Sequence, residues 1–140
     1  MKKYLIFIII TFFLFSCGGK KKIKPSSEEY IYTIEAFKVV EEIRQAYQNK
    51  DNSGIRKNCS ESAYREIIAS ARPFDRAELD FTPVLGEMEG GIFRLYVSWN
   101  GKWIYSEKET EERGLAVFLI KGNPPKVEKI LRGNPFRYPD

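Results

Sequence analysis

The apolar residues of this chain change their spacing near Phe74, and that change restricts the fold more than any other feature. Before it they recur every three or four positions. Ile34, Phe37, Val40, Ile43 and Tyr47 form one stripe along about five turns of helix. Ser26 stands three residues before Glu29, a capping-box spacing, so the helix is predicted to start there. Asn49 to Gly54 breaks it, Ile55 to Lys57 suits a short helical turn, and Asn58 to Glu61 repeats the cap spacing. A further helix through Ala63, Tyr64, Ile67 and Ile68 then runs to Arg72-Pro73.

Beyond Phe74 the period is two. Ala77-Glu78-Leu79-Asp80-Phe81 alternates, Pro83 and Gly86 interrupt, and Glu89-Gly90-Gly91 is a turn. Phe93, Leu95, Val97 and Trp99 alternate with Arg94, Tyr96 and Ser98, and Asn100-Gly101 is the dipeptide preferred in type I′ hairpins. A turn there sets Trp99 opposite Lys102, Val97 opposite Ile104 and Tyr96 opposite Tyr105. Glu107 to Arg113, nearly all charged, reads as a solvated strand end or loop. Leu115 to Ile120 is apolar on both faces, as a central strand is. Gly122-Asn123-Pro124-Pro125 turns the chain into a last strand through Val127, Ile130 and Leu131, and Gly133 to Asp140 is an irregular tail. The expected class is α+β, with two or three N-terminal helices packed on a curved, cone-like antiparallel sheet of about four to five strands.

Composition narrows the chemistry. At 140 residues and 43% hydrophobic the chain suits one domain. It has no histidine, which removes Ser-His-Asp and Cys-His triads and zinc sites built on imidazole. No metal cluster or glycine-rich phosphate loop occurs, so no metal and no cofactor is expected. The net charge of +4 comes from Lys2, Lys3, Lys20, Lys21, Lys22 and Lys24, which precede the first acid. From Pro25 onward 17 basic residues stand against 19 acidic ones. Nucleic acid is therefore set aside as a partner, because binding it needs positive charge clustered on the folded part.

The first residues read as an export signal. Lys2-Lys3 is followed by twelve residues, Tyr4 to Phe15, that are apolar or aromatic except Thr11. As a helix they reach about 18 Å, against roughly 30 Å of hydrocarbon, which disfavours a permanent span. The residues alone leave open an ordinary secretory signal in which Cys17 is incidental. Leu14-Phe15-Ser16-Cys17, however, resembles a bacterial lipobox. That resemblance implies a lipoprotein signal peptide over residues 1–16, acyl chains including palmitate on Cys17, a basic tether over 17–27 and a folded domain over 28–132. The partner it implies is a membrane, held through those chains, at the periplasmic or extracellular face of the cell envelope. Gly18 lacks the aspartate that marks inner-membrane retention in some enteric bacteria, which points to the outer membrane where there is one. The tether lysines suit either anionic headgroups or a solvated spacer. Cys59 is then left without a partner and is expected to be buried.

A helix ending in Ala46-Tyr47-Gln48-Asn49-Lys50-Asp51, a short helical stretch, a second helix and a curved sheet together resemble the nuclear transport factor 2-like superfamily, of cystatin-like fold, and within it small lipoproteins of unassigned function. The superfamily includes enzymes that pair a carboxylate base with a tyrosine in the cone, so an isomerase or dehydratase using Glu78 or Asp80 with Tyr96 or Tyr105 is one reading. Strand alternation places Glu78 and Asp80 on the solvated face, which argues against it. Tyr96, Trp103 and Tyr105, on one face of the predicted hairpin, are the candidate pocket or partner face, or else the sheet face that the first helix covers. The expected function is a non-enzymatic binding or interaction module of the envelope, taking a protein or a small apolar ligand. A purely structural envelope protein is the further alternative.

Overall fold

A computed structural model of the chain describes residues 27–137. The signal peptide, Cys17, the tether lysines and Ser26 lie outside the described residues, as do residues 138–140. Three helices, α1 (Glu28–Gln48), α2 (Asn52–Lys57) and α3 (Glu61–Ser70), precede four strands, β1 (Arg76–Glu89), β2 (Ile92–Tyr105), β3 (Lys108–Lys121) and β4 (Lys126–Ile130). The strands form one open antiparallel sheet in sequence order, so the fold is α+β with β2 and β3 central.

Each helix starts at a side-chain cap, and two caps lie beside the expected positions. Ser27 caps α1, its hydroxyl oxygen accepting from the Tyr30 N–H at 3.2 Å. Ser60, not Asn58, caps α3 by accepting from Ala63 N–H at 3.2 Å. Asn58 instead ends α2 and donates its amide to the Gly54 carbonyl. The segment between these helices pairs with β4: Ser60 N–H donates to Val127 O, and Val127 N–H donates to Asn58 O. The stripe of α1 that faces the core is Ala36, Val40, Ile43, Ala46 and Tyr47, while Ile34 is exposed. Small alanines serve here because they let the helix approach the sheet closely.

The far end of α1 closes part of the edge of β1. Arg44 donates from Nη1 to the Leu79 carbonyl at 2.7 Å, and Gln48 Oε1 accepts from Leu79 N–H at 2.8 Å. Both main-chain groups of an edge residue are thereby satisfied by a helix rather than by another strand.

The predicted Asn100-Gly101 hairpin does not form. β2 runs straight through it, with Asn100 opposite Asp80 and Arg113, and Gly101 opposite Leu79 and Glu112. The residues facing inward are Phe93, Leu95, Val97, Trp99, Gly101 and Trp103, an unbroken period of two. Gly101 serves volume rather than turning: a Cβ there would overlap the Trp103 ring and stand 2.9 Å from Leu79 Cδ2. The real turns are Gly90-Gly91 and Ser106-Glu107, each with positive φ at both residues, as primed two-residue turns need. Neither Ser106 nor Glu107 favours that region. The turn is held in part by Ser106 N–H donating to Asp75 Oδ2 at 2.8 Å. Likewise β1 is continuous, passing Pro83 through a bulge, and the charged run from Lys108 to Arg113 is regular strand.

Candidate functional site

Aromatic rings occupy much of the space between the helices and the sheet, beside an open groove of about 710 Å3 that α3, Trp99, Glu112, Lys129 and the segment around Gly133 line. The rings come from α1, β1, β2, the α3–β1 connection and the C-terminal segment. Tyr47 from α1 lies 5.0 Å from Phe74 and 4.8 Å from Phe136, and Phe81 of β1 lies 6.2 Å from Phe136. Trp99 and Trp103, two residues apart on β2, meet edge to face at 6.2 Å. Each indole has its acceptor. Trp103 Nε1 donates to the Tyr47 hydroxyl at 3.1 Å and Trp99 Nε1 to the Gly133 carbonyl at 2.7 Å. Burial pushes the Tyr47 hydroxyl above its ordinary pKa, opposed by the Trp103 hydrogen bond and the Arg72 charge.

Within this lining sits an ion pair with a buried cation and a partly exposed carboxylate. Arg72, just before Pro73, stacks its guanidinium 3.9 Å from the Trp103 ring centroid. Its Nη1 and Nη2 donate to Glu112 Oε1 and Oε2 at 3.2 and 3.0 Å, and Nη2 also donates to the Arg137 carbonyl at 2.6 Å. Its Nε is buried and has no hydrogen-bond partner among the described residues. The inward carboxylate is thus committed at both oxygens to one guanidinium, an arrangement that suits structure rather than proton transfer. Counting back by twos from Phe118 would have found Glu112 on the apolar face. Arg72 carried no such signal, because it follows the last turn of α3.

The predicted site residues are dispersed, since their grouping depended on the hairpin that does not form. Trp103 points inward and is buried. Tyr105 shares its alternation but lies at the strand end, half exposed, on a crevice of about 300 Å3 with Tyr47, Ile55, Ile68 and Phe74. Tyr96 is on the opposite, outer face of the sheet, between Leu85 of β1 and Val117 of β3. Glu78 and Asp80 are on that outer face too, in a charged groove of about 560 Å3 with Asn100, Lys102, Glu111 and Arg113. Tyr96 is four residues along β2 from Asn100, about 13 Å, so no carboxylate and tyrosine converge there. Lys102 bonds Glu109 at 2.9 Å and Glu111 at 3.2 Å, which holds its ammonium above the usual lysine range.

The outer face therefore has two halves. One is the charged groove. The other is the row Leu85, Tyr96 and Val117, with Leu115 and Leu119 on either side of Val117 along β3. Leu85 and Leu115 are about half exposed, and Leu131, whose N–H donates to Val117 O, extends the same region.

Cys59 is buried and free, and desolvation raises its thiol from 9.0 to about 12, against a weaker opposing effect of Lys126. A thiol held neutral in the fold contributes stability fully below the unfolded pKa and loses it as pH rises from about 9 towards 12. Wild-type protein should lose on the order of 1 kcal/mol of this stability between pH 8 and pH 10. Denaturant melts of Cys59→Ala at the two pH values should show correspondingly less loss, and equal loss in both proteins would refute the buried neutral thiol.

Among the described residues no helix is long and apolar enough to cross a membrane, and no three Cys, Asp or Glu side chains gather as metal ligands. Compared with models of known protein families and with curated proteins, the chain matches none.

Proposed function

We propose that this protein is a lipid-anchored domain of the cell envelope that acts by binding another protein rather than by catalysis. The observation that carries this reading is the outer sheet face, where the half-exposed Leu85, Leu115 and Leu131 surround the partly buried Tyr96 and the buried Val117 beside a charged groove. An apolar centre with a charged border is the composition of a protein interface. A small apolar ligand asks instead for an apolar concavity, whereas aromatic rings occupy much of this interior and the groove of about 710 Å3 beside Trp99 is lined mainly by charged and polar side chains, among them Glu66, Glu112, Lys129 and Arg132. The ion-paired state of Glu112 supports a non-catalytic interior. The order of three helices and a four-stranded meander supports membership of the nuclear transport factor 2-like superfamily, which we include in the proposal. Anchoring rests on Cys17, which lies outside the described residues.

Two measurements test this together. Cys17→Ser should abolish palmitate incorporation and release the protein from membranes, and persistent labelling would refute the anchor. A photoreactive residue at Tyr96 should give a discrete protein adduct in intact cells, while the same group at Glu107, in the β2–β3 turn, should not. Equal adducts from both positions, or none from position 96 at equal expression, would overturn the interaction face.

A further inference from the structure

α1 carries a second stripe besides the one that enters the core. Tyr30, Ile34, Phe37, Glu41, Arg44 and Gln48 are spaced alternately four and three apart, so they share one side of the helix. Arg44 and Gln48 hold the Leu79 main chain, which shows that this side faces β1. At the N-terminal end the same side meets no such cover. Tyr30 is 57% and Ile34 53% exposed. The opposing half of β1 is open as well, with Val84 60% and Met88 48% exposed. Of the nine large apolar side chains exposed among the described residues, five (Tyr30, Ile31, Ile34, Val84 and Met88) lie on these two segments apart from the outer row of Leu85 and Tyr96.

This end of α1 is held in place rather than frayed. Tyr32 packs edge-on against Phe93 at 5.2 Å and donates its hydroxyl to the Gly122 carbonyl at 3.1 Å. Phe93 pairs with Met88 on β1, so the first turns of the helix and the end of β1 belong to one end of the domain. Glu28, Glu29 and Glu35 fall off the Tyr30–Ile34–Phe37 stripe, and Glu41, which is on it, pairs with Arg44. The first three members of the stripe are thus apolar, Tyr30 and Ile34 exposed and Phe37 packed partly against the core.

The chain itself says what covers this end. Only nine residues separate Cys17 from Ser27, a span of at most about 36 Å fully extended. They include Lys20, Lys21, Lys22 and Lys24, and Tyr30 lies in the first helical turn beyond. Basic residues that precede an apolar helical face in sequence are the composition of an interfacial contact with an anionic bilayer. On the reading that Cys17 is acylated, we infer that the domain docks on the bilayer that holds its anchor, inserting Tyr30, Ile31 and Ile34 at headgroup depth with Val84 and Met88 beside them. The outer sheet face around Tyr96 stays clear for a protein.

The test uses the full chain, expressed with its leader, lipidated, purified and reconstituted into phosphatidylethanolamine–phosphatidylglycerol vesicles with and without brominated acyl chains. Trp99 and Trp103 are buried and give the background. Ile34→Trp adds a reporter on the stripe, Tyr30→Trp repeats it independently, and Glu107→Trp is the control in the β2–β3 turn. The added emission at positions 30 and 34 should be blue-shifted and lose roughly half its intensity in brominated vesicles, with position 107 unaffected. Unquenched reporters on protein that carries palmitate would overturn docking and leave the anchor standing. Blue-shifted emission that persists in detergent and resists bromine would mean that a second copy or another protein covers the stripe, which also overturns it. Absence of palmitate would remove the anchor and the docking together.

Discussion

Phe136→Ala is expected to lower the free energy of unfolding by about 3–5 kcal/mol, a large share of what a domain of this size has. The ring is fully buried although it belongs to a segment with no regular structure. It packs on Tyr47 and Phe81, and its neighbours are tied as well. Phe136 N–H donates to Asn134 Oδ1, and Arg137 forms a bridge with Ala71. Removing the ring leaves a cavity bordered by aromatic side chains from α1 and β1, which cannot collapse without moving both elements. Urea unfolding followed by tryptophan fluorescence reads the loss directly, because the Gly133 carbonyl that Trp99 bonds lies in the same segment. Leu131→Ala, at a half-exposed position, serves as the contrast and should cost much less. A Phe136→Ala loss as small as that contrast would show that the segment does not close the core.

Glu112→Ala should cost about as much, about 3–5 kcal/mol, for a different reason. It leaves the Arg72 guanidinium charged, 5% exposed and without its carboxylate. Arg72→Met should be milder. Glu112 is 28% exposed and can turn towards water, and the methionine keeps much of the contact with Trp103. The double variant Arg72→Met with Glu112→Met should recover most of the Glu112→Ala loss, since a buried ion pair contributes little net stability over apolar groups of similar volume. If Arg72→Met proves the more damaging of the single variants, the pair is not what holds this part of the interior. Thermal and urea melts of the four proteins decide it.

The candidate site was only partly legible in the sequence. Alternation correctly put Glu78 and Asp80 on the outer face, because the two-residue period depends only on the strand backbone. Tyr96 was grouped with Trp103 and Tyr105 because Asn100-Gly101 reads as a turn to anyone who sees only its neighbours. Its actual role appears once the Trp103 ring is seen over Gly101. The converse holds at Ser106-Glu107, a turn with no glycine, held by Asp75 from 31 residues away. In α1 the apolar spacing located a helix, yet the buried stripe is rotated so that Ala36 and Ala46 face the core and Ile34 faces out. Hydrophobicity alone ranked Ile34 above the alanines. Distance between helix and sheet ranked them the other way.

What the sequence determined by itself is whatever depends on local geometry: helices before Phe74 and strands after it, the Gly90-Gly91 turn, and a central strand through Leu115 to Ile120. What only the tertiary structure decided is which volumes distant residues fill for one another. Arg72 meets Glu112 across 40 positions, and Phe136 reaches Tyr47 across a still longer separation. Spacing within a segment is set by bond angles and dihedrals that each segment carries alone. A ring finding a cavity, or a charge finding its partner, is a property of two segments at once, and it exists only after the chain has brought them together.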